Sequence, residues 1–163
     1  MQGDGDGFKP NEYMTRAMAV TLLWRACGQP EAKNVAAFSD VPAESWYAPA
    51  VDWGVESGLI KGVEEQSFAP DEYISREQFI ALIVRYAQHR KFKLAEGFGV
   101  RAYCDGFRIS PWAEEYVSAL LGAGFISAND TSAFRPLDSM TRAEAAEMLV
   151  WYFEMENNKR TTV

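Results

Sequence analysis

The chain has 163 residues, 48% of them apolar and 13% aromatic, with a formal net charge of −7 and two cysteines. The aromatic and apolar share excludes intrinsic disorder, and the balance of 23 Asp/Glu against 16 Lys/Arg excludes the basic footprint of a nucleic-acid binder. No apolar run approaches the roughly 20 residues that span a bilayer, so no membrane insertion is expected.

Met1 is followed by Gln-Gly-Asp-Gly-Asp-Gly, which is not a signal peptide; an export signal is expected upstream of this chain. Asp4-Gly-Asp6-Gly hints at a calcium loop, but Phe8 and Pro10 interrupt it and Thr15 stands where the closing glutamate belongs. A glycine-rich turn is the expectation there. Phe8-Lys-Pro10 then stands seven residues before Thr15-Arg16, where a helix opens. Cys27 ends that segment and shares a column with Ala87 and Phe153 of the later copies, which reads as a buried apolar position.

The same pattern returns twice. Phe68-Ala-Pro70 stands seven residues before Ser75-Arg76, and Phe134-Arg-Pro136 stands seven before Thr141-Arg142. Ahead of these two copies lies a further motif: Phe38-Ser-Asp40 leads to Trp46, Val51 and Gly58, and Tyr103-Cys-Asp105 leads to Trp112, Val117 and Gly124. Self-similarity in register at this many positions defines a repeat. The segments are 1–37, the second half of a first copy; 38–88, a full second copy; 89–102, a basic linker containing His89; 103–154, a full third copy; and 155–163, a tail.

Each full copy reads as two helices. Trp112, Tyr116, Leu120 and Gly124 fall on one helical face, and Ser110-Pro111 looks like an N-cap followed by proline at the first helical position. Gly58 and Gly124 suit left-handed positions that close these helices. An irregular Phe-x-Pro connection follows, with Phe8, Phe68 and Phe134 expected to pack inside. The second helix opens at Thr15, Ser75 or Thr141. Ser75-x-x-Gln78 and Thr141-x-x-Glu144 are capping boxes, whereas Met18 breaks the box in the first copy.

These residues resemble the S-layer homology domains of bacterial surface proteins. The resemblance rests on Phe38-Ser-Asp-Val-Pro42, Trp46-Tyr47, Ala50-Val51, Gly58-Leu-Ile-Lys-Gly62, Phe68-Ala-Pro70, Ile74-Ser-Arg-Glu77 and Met140-Thr-Arg-Ala-Glu144. It implies an all-α fold, with tandem two-helix repeats in a pseudo-threefold assembly around a central helix bundle. It also implies a non-covalent anchor at the extracellular cell surface that binds a secondary cell-wall polysaccharide, often pyruvylated, with Gly62 and Glu144 among the ligand-binding residues. The first copy lacks its leading half. Ser75-Arg-Glu-Gln and Thr15-Arg-Ala-Met depart from the Thr-Arg-Ala-Glu signature, Ala128 stands in the place of Gly62, and Gly106 in that of Val41.

Elementary electrostatics gives Arg16, Arg76 and Arg142 a role of their own. Each directly follows the cap of a helix, whose end offers unpaired N–H groups and a partial positive charge of roughly half a unit. A guanidinium beside it adds a bidentate fork for a carboxylate such as that of a pyruvyl ketal. The competing reading pairs these arginines with Asp40, Asp105 or Glu44. Thr15, Ser75 and Thr141 read as caps that could also touch ligand, and Trp46 and Trp112 as either core anchors or sugar-stacking platforms. No catalytic residues, metal ligands or cofactor site are expected; an enzyme would need a catalytic module upstream. The alternative function is a structural or self-associating helical repeat, in which the incomplete first copy exposes an apolar groove.

Overall fold

A computed structural model describes residues 7–35, 38–94, 103–125 and 133–161, with the side chains of the last three left out. The fold of these residues is all-α: α1 Arg16–Ala26, α2 Ala48–Glu56, α3 Arg76–His89, α4 Glu114–Gly122 and α5 Arg142–Thr161, with a 3₁₀ turn at Gly106–Arg108. Only isolated bridges, and no strands, accompany them among the described residues. Asp4, Asp6 and Ala128 lie outside the described residues.

The chain divides into two compact units. One comprises residues 14–74, and the other residues 1–13 with 75–163. In the first unit α2 packs on α1, and Val20, Leu23, Val51, Trp53 and Leu59 are buried. Gly54 makes this approach possible, since a Cβ there would run into Val20 and Ile60. In the second unit α4 packs on α3. There Tyr86 of α3 meets Tyr152 of α5 edge to face at 5.4 Å, with Phe92 and Phe153 completing the aromatic cluster. Arg90 reaches the buried Glu156 at 3.4 Å, so α5 runs on as packed helix past the end of the third repeat as read from sequence.

Local chemistry sets the helix ends. The Ser75 hydroxyl accepts from Gln78 N–H while the Gln78 side chain accepts from Ser75 N–H, and Thr141 and Glu144 do the same. Thr15 caps Met18 alone, because methionine cannot reciprocate. Met14, Ile74 and Met140, one residue before each cap, are buried, as are Ala19, Phe79 and Ala145 in the first turns, the pairing of positions that makes a hydrophobic staple. Gly58 and Gly124 take φ of 73° and 81° just after α2 and α4 and end them as expected.

Four local expectations fail. Ser110 does not cap α4, which begins only at Glu114; its hydroxyl and N–H instead bond the buried carboxylate of Glu77, at 2.7 and 3.0 Å. Trp112 therefore lies in the turn ahead of α4 and not on its buried stripe. Cys27 is the C-cap of α1 and only half-buried, whereas Ala87 in the same column lies inside α3 and is buried. Phe68 and Phe134 pack at 1% and 3% exposure, but Phe8 remains 38% exposed.

Candidate functional site

Three loops of the form Phe-x-Pro organise the candidate site, and each places its middle residue in the left-handed region: Lys9 at φ 47°, Ala69 at 56° and Arg135 at 58°. A non-glycine residue there is strained. In the two full copies the strain is held by an aspartate. Asp40 accepts from Phe68 N–H at 2.9 Å, Ala69 N–H at 2.7 Å and the Ser67 hydroxyl at 2.7 Å. Asp105 accepts from Phe134 N–H at 2.6 Å and Arg135 N–H at 2.8 Å. Burial alone would raise the Asp40 carboxyl, but these donors hold it below the usual carboxylate range. Neither aspartate bonds an arginine of the helix ends. They clamp loops, a role that the sequence reading missed although both sit at the same place in their motifs.

Each of the three Phe-x-Pro loops serves as a cap for a helix of another copy. Arg16 N–H donates to Glu72 O and Ala17 N–H to Pro70 O; Arg76 and Glu77 donate to Asp138 O and Pro136 O; Arg142 and Ala143 donate to Glu12 O and Pro10 O, all at 2.8–3.0 Å. With the caps taking the next donor, every N–H of the three first turns is paired. The expectation of open helix ends as anion sites is therefore overturned: the loop carbonyls already occupy the donors that an anion would need.

The arginines themselves turn back over the loop rings. Arg16 lies 4.8 Å above Phe68, Arg76 5.6 Å above Phe134 and Arg142 5.2 Å above Phe8. This cation–π placement takes each guanidinium off the unfavourable helix dipole and onto an aromatic face. Arg16 Nε donates to Phe68 O at 2.8 Å and Nη2 to Lys61 O at 3.2 Å; Arg142 Nε donates to Phe8 O at 2.9 Å. Arg76 differs: it pairs with Glu144 at 3.3 Å, while Arg135 holds the same carboxylate oxygen at 2.7 Å. Among the described residues Arg16 makes no ion pair. Burial lowers the pKa of Arg16, partly offset by Glu72 and Asp40, and lowers that of Arg76, partly offset by Glu144. Both remain cations, given how far arginine starts above neutrality.

The other expected site residues divide. Thr15, Ser75 and Thr141 spend their hydroxyls as caps. Glu144 serves as capping partner and counter-ion; burial would raise its pKa, yet Thr141, Arg76 and Arg135 hold it low. Gly62 lies under the turn between Glu64 and Ser67, where a Cβ would strike both carbonyls and the Phe38 ring. Trp46 and Trp112 are not core anchors: they are 57% and 48% exposed, with Tyr47 and Tyr116 as ring neighbours at 5.2 and 6.5 Å. No ring contact joins either indole to an arginine of the helix ends. Tyr116 instead carries Arg85, which lies 4.9 Å over its ring and donates to its hydroxyl at 3.2 Å, a cluster that the sequence reading did not contain.

The family profile described as "S-layer homology domain" matches residues 1–19, 37–80 and 103–146, the three stretches that carry the Phe-x-Pro loops and the helix ends. The chain belongs to the S-layer homology domain family. It is 30% identical over 150 residues to the surface-layer 125 kDa protein of Lysinibacillus sphaericus, covering 90% of this chain and 12% of that protein. It is 28% identical over 149 residues to the cellulosome-anchoring protein of Acetivibrio thermocellus, covering 89% and 33%. It is also 29% identical over 152 residues to the amylopullulanase of Thermoanaerobacterium thermosulfurigenes, covering 93% and 8%. The chain thus corresponds to a small part of these relatives' length. S-layer homology domains are modules of surface-layer and cell-surface proteins, and cell-surface anchoring is the coarse function of this chain.

Proposed function

We propose that this S-layer homology chain binds an anionic secondary cell-wall polysaccharide, pyruvylated in its reactive form, through its helix-end arginines. The observation that carries this reading is Arg16. Two of its N–H groups are fixed by main-chain carbonyls and its face is seated on Phe68, so the guanidinium is pre-organised, while the nearby acids Glu72 and Asp40 act on it without forming an ion pair among the described residues. A fork held in this way suits a carboxylate on a sugar, and little entropy is lost on binding. Exposed Trp46 and Trp112 provide apolar faces on which pyranose rings stack. Arg76 is the weaker contributor, because Glu144 already pairs with it.

The net charge of −7 repels a polyanion at long range, so attraction is local and short-ranged, screened less where the arginine is half-buried. Several weak sites facing a repetitive polymer raise avidity by roughly 10²–10⁴ over one site. That multivalency, and not a single tight pocket, supports a non-covalent anchor on the cell wall. Co-sedimentation with isolated cell walls tests the reading. Arg16→Ala is expected to lower retention several-fold with the thermal midpoint monitored in parallel, and replacement of Arg16, Arg76 and Arg142 together is expected to abolish it.

A further inference from the structure

We infer that Tyr13 and Tyr73 are specificity-determining residues of the proposed anchor: each supplies the aromatic face for a pyranose ring whose carboxylate is taken by the adjacent arginine, Arg142 or Arg16. The inference rests on the reading of the arginines given above, and adds the group that tells a sugar acid from any other carboxylate.

The three Phe-x-Pro loops end in single bridges against the helix caps. Tyr73 stands opposite Thr15, Tyr13 opposite Thr141 and Ser139 opposite Ser75, all antiparallel. At the first of these, Arg16 N–H donates to Glu72 O at 2.9 Å and Ile74 N–H to Met14 O at 3.0 Å. Bonds on either side leave Thr15 and Tyr73 as a non-hydrogen-bonded pair, the arrangement that brings opposed side chains closest on one face. Arg142 N–H donates in the same way to Glu12 O, the carbonyl just before Tyr13, at 2.8 Å. Main-chain bonds thus set each tyrosine beside the cap that precedes its arginine.

The rings are left at the surface. Tyr73 is 58% exposed and Tyr13 49%, whereas the next residues, Ile74 and Met14, are buried. The loops anchor themselves through the aliphatic neighbour and present the tyrosine to solvent. A tyrosine offers a large amphipathic face at little conformational cost, and tyrosine and arginine are among the residues in which binding energy concentrates.

The third end differs in both parts. Ser139 occupies the tyrosine position, and Glu144 already pairs with Arg76 at 3.3 Å. The ring is missing where the counter-ion is present. The ends of α1 and α5 therefore read the sugar, and the end of α3 is structural.

The test is release of the chain from isolated pyruvylated cell walls by two soluble carboxylates, a methyl pyranoside bearing a pyruvyl ketal and lactate. The native chain is expected to be released by the pyranoside at a concentration about fivefold or more below that of lactate, because only the pyranoside has a ring to stack. Tyr13→Thr with Tyr73→Thr keeps a β-branched residue in each bridge and is expected to bring the two concentrations within about twofold. Each single substitution is expected to remove part of the preference, and phenylalanine at both positions to retain it. Ser139→Ala is expected to leave it unchanged. A preference that survives the threonine pair overturns the inference while the arginine reading stands. A preference lost equally with Ser139→Ala also overturns it, because the bridges then act by holding the fold. Retention unchanged by Arg16→Ala with Arg142→Ala overturns the arginine reading, and the inference with it.

Discussion

Arg76 of the second copy and Glu144 of the third form an ion pair at 3.3 Å, which joins the ends of α3 and α5 through their first turns. The same carboxylate also completes the cap of its own helix and holds Arg135, so it serves three partners. Arg16 forms no ion pair among the described residues. Its Nε donates to the carbonyl of Phe68, as that of Arg142 does to the carbonyl of Phe8. Arg16 and Arg76 thus carry unequal electrostatic loads at one register.

Glu144→Gln keeps an acceptor for the cap and removes the charge. Because Arg76 and Glu144 are partly exposed, the expected cost is about 0.5–1 kcal/mol, read by urea titration. Wall binding is expected to hold steady or rise, since Arg76 loses its counter-ion. A loss of binding would assign Glu144 to the ligand site.

Asp40→Asn leaves two loop N–H groups facing an amide and one acceptor lost. The expected destabilisation is about 1.5–3 kcal/mol at neutral pH. The carboxyl is held low in the folded chain, so the unfolded chain takes up protons first. Its contribution is complete above the unfolded value near pH 4 and declines as the pH falls through the folded value. The native chain is expected to lose stability as acid is added below about pH 5, and Asp40→Asn to flatten that slope. An equal slope in both would contradict the clamp.

Ala69→Gly removes the cost of a Cβ at φ 56°. The expected change is a gain of roughly 0.5–1 kcal/mol, offset in part by the greater freedom of glycine in the unfolded chain. A loss measured by thermal melting would show that the methyl group contributes packing that outweighs its strain.

Trp46→Ala separates surface from core. With the indole more than half exposed, the thermal midpoint is expected to shift by less than about 2 °C, while cell-wall retention falls. A large drop in the midpoint with unchanged retention would return Trp46 to a packing role.

Much of the architecture is legible locally. Capping boxes, the closing glycines and the register of the three arginines all follow from contacts within four residues. What sequence spacing did not carry is the partner at a distance. The N–H groups after Thr15, Ser75 and Thr141 look open in sequence because their acceptors, Glu72, Asp138 and Glu12, belong to loops of other copies. Ser110 reads as a cap because Glu77, 33 residues earlier, is invisible to local pattern. Asp40 and Asp105 were marked by the motif, but their targets lie 28 and 29 residues on, and nothing in the intervening sequence names them. The exposed indoles show the converse case: a tryptophan repeated in register reads equally well as core or surface until the turn that carries it is placed.

Arg16 provides the most direct test of the proposed anchor. Retention of the chain by isolated cell walls is to be measured with Arg16→Ala and Arg16→Lys beside the native residue, on walls with and without the pyruvyl group. Loss with alanine, partial recovery with lysine, which keeps the charge without the fork, and no retention of any form on walls lacking pyruvate are the expected results. Equal retention of all three proteins on both kinds of wall would contradict an arginine-held carboxylate as the basis of anchoring.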